Sequence, residues 1–156
     1  MNELNIISLG AGVQSSCMSL MFARGELKTA TGKPIDAAIF ADTGAEPTEV
    51  MEYLEYLKAE LPFPVHVVQH EKGLTRGLEE SVASGARVAA PPLFTESGAI
   101  ITRVCTQDFK IRPIRKHLRK IEKEGGEKIH VNQMMGISLD EIQRMKPSGV
   151  KWITHF

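Results

Sequence analysis

An open α/β sheet of parallel strands covered by helices is the fold class this sequence predicts, on three observations. An apolar run, Leu4, Ile6, Ile7 and Leu9, breaks into the glycine and hydroxyl stretch SLGAGVQSS at residues 8–16 and then into a helical pattern. A second run, ending Ile39-Phe40-Ala41, is apolar on both faces, as a parallel strand must be when helices cover both sides of its sheet. Strand-like and helix-like segments alternate along most of the remaining chain.

The first strand and its turn come first because they point to chemistry. A strand that breaks into glycines and then opens a helix gathers free backbone N–H groups and the positive end of a helix dipole, which together bind anions. Gly10 and Gly12 are read as letting the backbone turn tightly and approach a ligand; Gln14, Ser15 and Ser16 offer side-chain hydrogen bonds. A phosphate is the expected guest. The P-loop of nucleoside triphosphatases needs a lysine, and no lysine occurs before Lys28. The dinucleotide loop G-x-G-x-x-G would place its third glycine at Ser15. Residues 10–15 resemble the pyrophosphatase loop (PP-loop) S-G-G-x-D-S, with Gly10 for the first serine, Ala11 for a glycine and Gln14 for the aspartate.

The chain has 156 residues, about one domain's worth, with 42% hydrophobic and 24% charged residues, the composition of an ordinary globular protein. Lys+Arg and Asp+Glu both number 19, so global charge points to neither nucleic acid nor membrane. No apolar run reaches transmembrane length and none resembles a signal segment, so a cytoplasmic chain is expected. Two cysteines, Cys17 and Cys105, are too few for a disulfide framework or a complete zinc site, and the histidine spacings match no zinc motif.

The helix after the loop is expected over residues 13–24, with Cys17, Leu20 and Met21 facing the sheet, Cys17 as a core thiol and Gly25 as the stop. The second strand, residues 35–41, delivers Asp42, Thr43, Gly44, Ala45 and Glu46 to its carboxyl end, where open α/β sheets bind ligands. That loop is expected to converge with the first on one crevice; the structural alternative is a turn followed by a helix start. Residues 47–61 read as an amphipathic helix burying Val50, Leu54, Leu57 and Leu61, and residues 65–68 as a third strand, with His66 and His70 at surface or edge. A further helix is expected over residues 72–85, and an irregular lid or binding loop over residues 86–102.

Pro113 suits the first turn of a helix burying Ile114, Leu118 and Ile121. Lys110 and Arg112 are read as preceding that helix, free to join its N-terminal amides around an anion, whereas the later cations form a solvated face. Residues 130–137 read as a strand ending at Gly136. Ser138 and Glu141 then form a capping box, with Asp140 paired to Arg144. The functional alternative puts Asp140 or Glu141 in the ligand crevice, as a magnesium or ribose contact.

Four ordered segments, SLGAGVQSS, FADTGAEPTE, CTQDFKIRPIRKHLR and GISLDEIQRM, resemble the adenine nucleotide α-hydrolase superfamily and, within it, the phosphoadenylyl-sulfate (PAPS) reductase-like proteins common in phage and prophage genomes. The resemblance implies a doubly wound, Rossmann-like parallel sheet, with phosphates held by the first segment and the nucleoside near the Asp-Thr-Gly loop. It aligns Cys105, Lys110 and Pro113 with the family's Cys-x-x-x-x-Lys-x-x-Pro segment, whose basic residues face sulfate or phosphate. Gln14 stands for the usual aspartate and Gly10 for the first serine, and the sequence stops at Phe156 where relatives usually continue into helices and a cysteine pair, so truncation or completion by a partner is expected.

The leading functional expectation is a single PP-loop domain that binds ATP or PAPS with Mg2+ and cleaves the α–β bond of ATP or transfers its adenylyl group to an unknown acceptor. Lys110, Arg112 and Cys105 are its catalytic candidates. Gly10, Gly12, Gln14, Ser15 and Ser16 hold phosphates, with Ser8, Asp42, Thr43, Gly44, Gly136, Asp140 and Glu141 at the rest of the nucleotide. Alternatives are PAPS reduction dependent on Cys105, an inactive nucleotide-binding module with a C-terminal partner or homo-oligomer, and NAD binding with Asp42 on the ribose. Nucleic-acid modification rests on the basic stretch at residues 110–123 alone.

Overall fold

A computed structural model describes residues 2–84 and 106–156. Its elements run β1 (Asn2–Leu9), α1 (Val13–Ala23), β2 (Ala37–Asp42), α2 (Thr48–Glu60), β3 (Val65–Gln69) and α3 (Gly73–Ser84), then α4 (Arg112–Gly125), β4 (Ile129–Met135) and β5 (Ile153–His155). A π-helical stretch, Thr106–Ile111, leads directly into α4, and a 3-10 turn, Leu139–Arg144, lies between β4 and β5. The five strands form one parallel sheet in the order β3-β2-β1-β4-β5, flanked by helices, a Rossmann-like α/β fold. The irregular segment expected over residues 86–102, and Cys105, lie outside the described residues.

The strand order fixes where a ligand belongs. Chain order runs outward from β1 through β2 to β3, then returns to the other side of β1 for β4 and β5. The switch point of the topology therefore lies between β1 and β4, and the loops leaving the carboxyl ends of those two strands frame the crevice of an open α/β sheet. Register supports this: Ser8, near the end of β1, pairs with Met135, the last residue of β4, on one side and with Ile39 on the other.

The chain divides into two compact units, Met1–Phe40 with Thr48–His66 and Lys120–Phe156, and Ala41–Pro47 with Val67–Arg119. The core of the first unit packs Ile7 and Leu9 of β1, Ala38 and Phe40 of β2 and Met134 of β4 against Leu54 and Leu57 of α2 and Leu61 directly after it, the stripe a 3.6-residue period predicts. Two polar residues sit inside this sheet at partner positions of adjacent central strands. Asn132 Nδ2 donates to Asn5 Oδ1 at 3.0 Å, and Asn5 Nδ2 donates to Pro34 O at 3.1 Å and Thr31 Oγ1 at 3.3 Å.

The helix α1 differs from its expected orientation. Cys17 is exposed, and the fully buried residues of the helix are Ser15, Ser16 and Ser19, while Leu20, as expected, packs partly buried against the core together with Met18 and Phe22. Serine is tolerated there where its hydroxyl returns to the helix's own backbone, as Ser19 Oγ does to Ser15 O at 2.7 Å. Gly25 ends the helix with φ +72°, as expected of a glycine stop.

Candidate functional site

At the β1–α1 turn the chain leaves Leu9, turns through Gly10, Ala11 and Gly12, and enters the helix at Val13. The left-handed residue is Ala11, φ +50°, and neither glycine has positive φ. Neither position therefore requires glycine for its backbone conformation, and a Cβ on Gly10 would make an ordinary contact with Ser15 Oγ at 3.7 Å. A Cβ on Gly12 would meet nothing within 4 Å. Ser15 pins the turn from inside: its Oγ accepts the Gly10 N–H at 3.1 Å and donates to Gly12 O at 3.3 Å.

The first intrahelical bond is Ser16 N to Gly12 O, 3.0 Å, so the N–H groups of Val13, Gln14 and Ser15 have no helical acceptor. No side chain caps this end, no acidic residue occupies its first turn, and Val13 is 87% exposed. An open, uncapped helix start at a switch point can hold phosphate oxygens. Ser16 Oγ is buried with no hydrogen-bond partner among the described residues.

The loop after β4 is built onto this turn. A Cβ on Gly136 would lie 2.7 Å from Gln14 C and Ser15 N, so only glycine allows β4's end to approach the helix start. Gln14 then reaches across with its side-chain amide, donating to Ser138 Oγ at 2.6 Å and Glu141 Oε2 at 2.7 Å. Arg144 Nη1 donates to the other Glu141 oxygen at 2.6 Å. The capping box is not formed, because Ser138 makes no side-chain cap bond and the chain continues as a 3-10 turn instead of an α-helix. Arg144 pairs with Glu141, not with Asp140.

These contacts set the charge of the site. The Gln14 N–H, and after it Arg144, hold the Glu141 carboxyl below the ordinary glutamate value. The Ser138 hydroxyl, then the backbone N–H of Asp140, do the same for Asp140. Both remain ionised at neutral pH. Gly136, Asp140 and Glu141 are therefore gathered at the switch point with Gly10, Gly12 and Gln14. Sequence reading missed Ser138 as the partner of Gln14; its one available signal was its place two residues beyond a strand-ending glycine.

In the second unit the Asp42 turn is a self-contained structure. Asp42 Oδ1 accepts the Gly44 N–H at 2.7 Å, Gly44 takes φ +74°, and Thr43 Oγ1 donates to Glu46 Oε1 at 3.0 Å. The Leu74 N–H closes on Thr43 O at 2.7 Å. The structural alternative, a turn before a helix start, accounts for these bonds. Lys110 Nζ stands 3.8 Å from Glu46 Oε1, and Arg112 Nη1 is 2.8 Å from Asp108 Oδ1. Contrary to the expectation above, neither cation stands ahead of the helical run: Lys110 lies inside the π-helical stretch Thr106–Ile111, which leads directly into α4, and Arg112 is the first residue of α4.

Among the described residues no helix is long and apolar enough to cross a membrane. No curated protein matches the chain. Residues 5–125 match the phosphoadenosine phosphosulfate reductase domain, a span that holds most of β1, the turn at residues 10–16, the Asp42 turn and the basic start of α4. With that match over most of its length and a parallel Rossmann-like sheet, the chain belongs to the phosphoadenosine phosphosulfate reductase domain family.

Proposed function

We propose that this domain binds an adenine nucleotide, PAPS or ATP, with its phosphates on the turn of Gly10, Ala11 and Gly12 and the first N–H groups of α1. The observation that carries the reading is the uncapped, acid-free helix start at the β1–β4 switch point, with Gly136 and Gln14 packed beside it. Asp140 and Glu141, both ionised, are the carboxylates that would take a magnesium ion, which when bound neutralises phosphate charge. The reaction proposed is displacement at the α-phosphorus of ATP: an acceptor nucleophile forms the new bond to phosphorus as the α–β bridging bond breaks and pyrophosphate leaves. With water as acceptor the products are AMP and pyrophosphate.

The family match favours a second reading, reduction of PAPS, in which the bond between sulfur and the 5′-phosphate oxygen breaks, a dithiol donor is oxidised to its disulfide, and sulfite and adenosine 3′,5′-bisphosphate are released. Equilibrium binding of PAPS, ATP and NAD with magnesium, on wild type and Gly12→Glu, tests both. The new side chain has room, so loss of binding reports its charge against a phosphate and not a collapsed loop. Preference for ATP with release of AMP and pyrophosphate supports adenylyl chemistry, and release of ADP rejects it. Preference for PAPS with a rate that falls in Cys105→Ser supports reduction. Binding without turnover identifies a nucleotide-binding module, and no binding of any of the three rejects the proposal.

A further inference from the structure

Beside the nucleotide turn, at the carboxyl ends of β4 and β5, lies a cavity of about 310 Å³ to which the proposed reaction assigns no role. Its walls are apolar for the most part: Ile137 follows β4, and Ile142, Met145 and Phe156 leave 53%, 55% and 43% of their surfaces exposed around it. Large apolar side chains left this open, around a concavity of the size that holds small molecules, mark a ligand site. A cation completes it. Lys146 lines the same cavity, and its ammonium group has no ion-pair partner among the described residues.

The cavity is tied to the nucleotide turn through bonds already described. Ile137 sits between Gly136, packed on the Gln14 backbone, and Ser138, bonded to the Gln14 side chain. Arg144, in the cavity wall, is bonded to Glu141, whose other oxygen accepts the second Gln14 N–H. We propose that this cavity receives the second substrate, a compact apolar molecule carrying an anionic group that pairs with Lys146. The inference rests on the reading of the Gly10–Gly12 turn as the nucleotide site and adds the chemical class of the acceptor.

Naphthalene-2-sulfonate and its uncharged counterpart 2-naphthalenemethanol are suitable probes, followed by calorimetry on the full chain. Wild type is expected to bind the sulfonate. Lys146→Ala should weaken it by about tenfold, the loss of one charge-assisted contact, and leave the alcohol unchanged. Ile142→Asp, at an exposed position that does not threaten folding, should remove both probes. Gly12→Glu should keep both, so a failed nucleotide reading with an intact cavity is distinguishable from the reverse. The proposal is overturned when wild type binds neither probe, or when Ile142→Asp and Lys146→Ala bind the sulfonate as wild type does. It is overturned equally by a wild-type dimer in sedimentation that Ile142→Asp separates, since the face then joins two copies.

Discussion

Gly136 and Gln14 are the residues on which the site depends, and each makes a separate prediction. Gly136→Ala drives a methyl group to 2.7 Å from backbone atoms of Gln14 and Ser15, which no side-chain rotation relieves, and should cost about 1–3 kcal/mol as an overpacked site does. Gly149→Ala, where a Cβ meets nothing within 4 Å, is the control. Denaturant unfolding of the two variants should separate them, and equal stabilities would contradict the close approach. Gln14→Leu removes the N–H that chiefly holds the Glu141 carboxyl low. A carboxyl with a depressed folded pKa contributes stability above its unfolded value, about 4.3, and loses it as pH falls through the folded pKa. The stability gap between wild type and Gln14→Leu should therefore narrow from about pH 7 to about pH 3, and a gap that stays constant with pH would assign the loss to packing instead.

At the scale of elements, the apolar periodicities were legible and the polar pairings were not. Leu54, Leu57 and Leu61 are buried as the helical period of α2 requires, because burial of a stripe is a property of one segment read alone. In α1 the fully buried positions are serines, of which Ser19 is explained by a bond to the helix's own backbone and Ser15 by the turn it closes, which no apolar count registers, while Leu20 packs partly buried against the core. Nor does a single strand disclose that Asn5 and Asn132 will meet; that follows only from β1 and β4 being neighbours in parallel register. Their bond fixes which residues of the two central strands align, and Asn132→Leu should cost about 1–3 kcal/mol by leaving Asn5 Oδ1 without its buried donor. Ser16 offers the opposite sign. Its buried hydroxyl has no partner among the described residues, so Ser16→Ala should leave stability unchanged or raise it by about 1 kcal/mol and leave nucleotide affinity unchanged. A large loss of affinity would return Ser16 to the phosphate site.

For the molecule as a whole, the site is a consequence of strand order. The β1–α1 turn was legible because strand, glycines and helix follow one another in sequence, but the return of the chain to the far side of β1 is not encoded in any local pattern. Only that return makes the loop after β4, with Gly136, Ser138 and Glu141, the structural neighbour of Gln14. A ligand that binds the folded switch point and not the unfolded chain must stabilise the fold by mass action. Nucleotide at 100 times its Kd should contribute about 2.7 kcal/mol. For a chain of 156 residues that is a rise in Tm of about 5–10 °C in a thermal scan. Gly12→Glu should melt within about 2 °C of wild type without nucleotide, because its side chain enters open space, and should show no rise when nucleotide is added. A full rise in Gly12→Glu would move the phosphates away from the β1–α1 turn. A collapse of its melting temperature without ligand would show that the turn carries stability the open geometry around Gly12 does not explain.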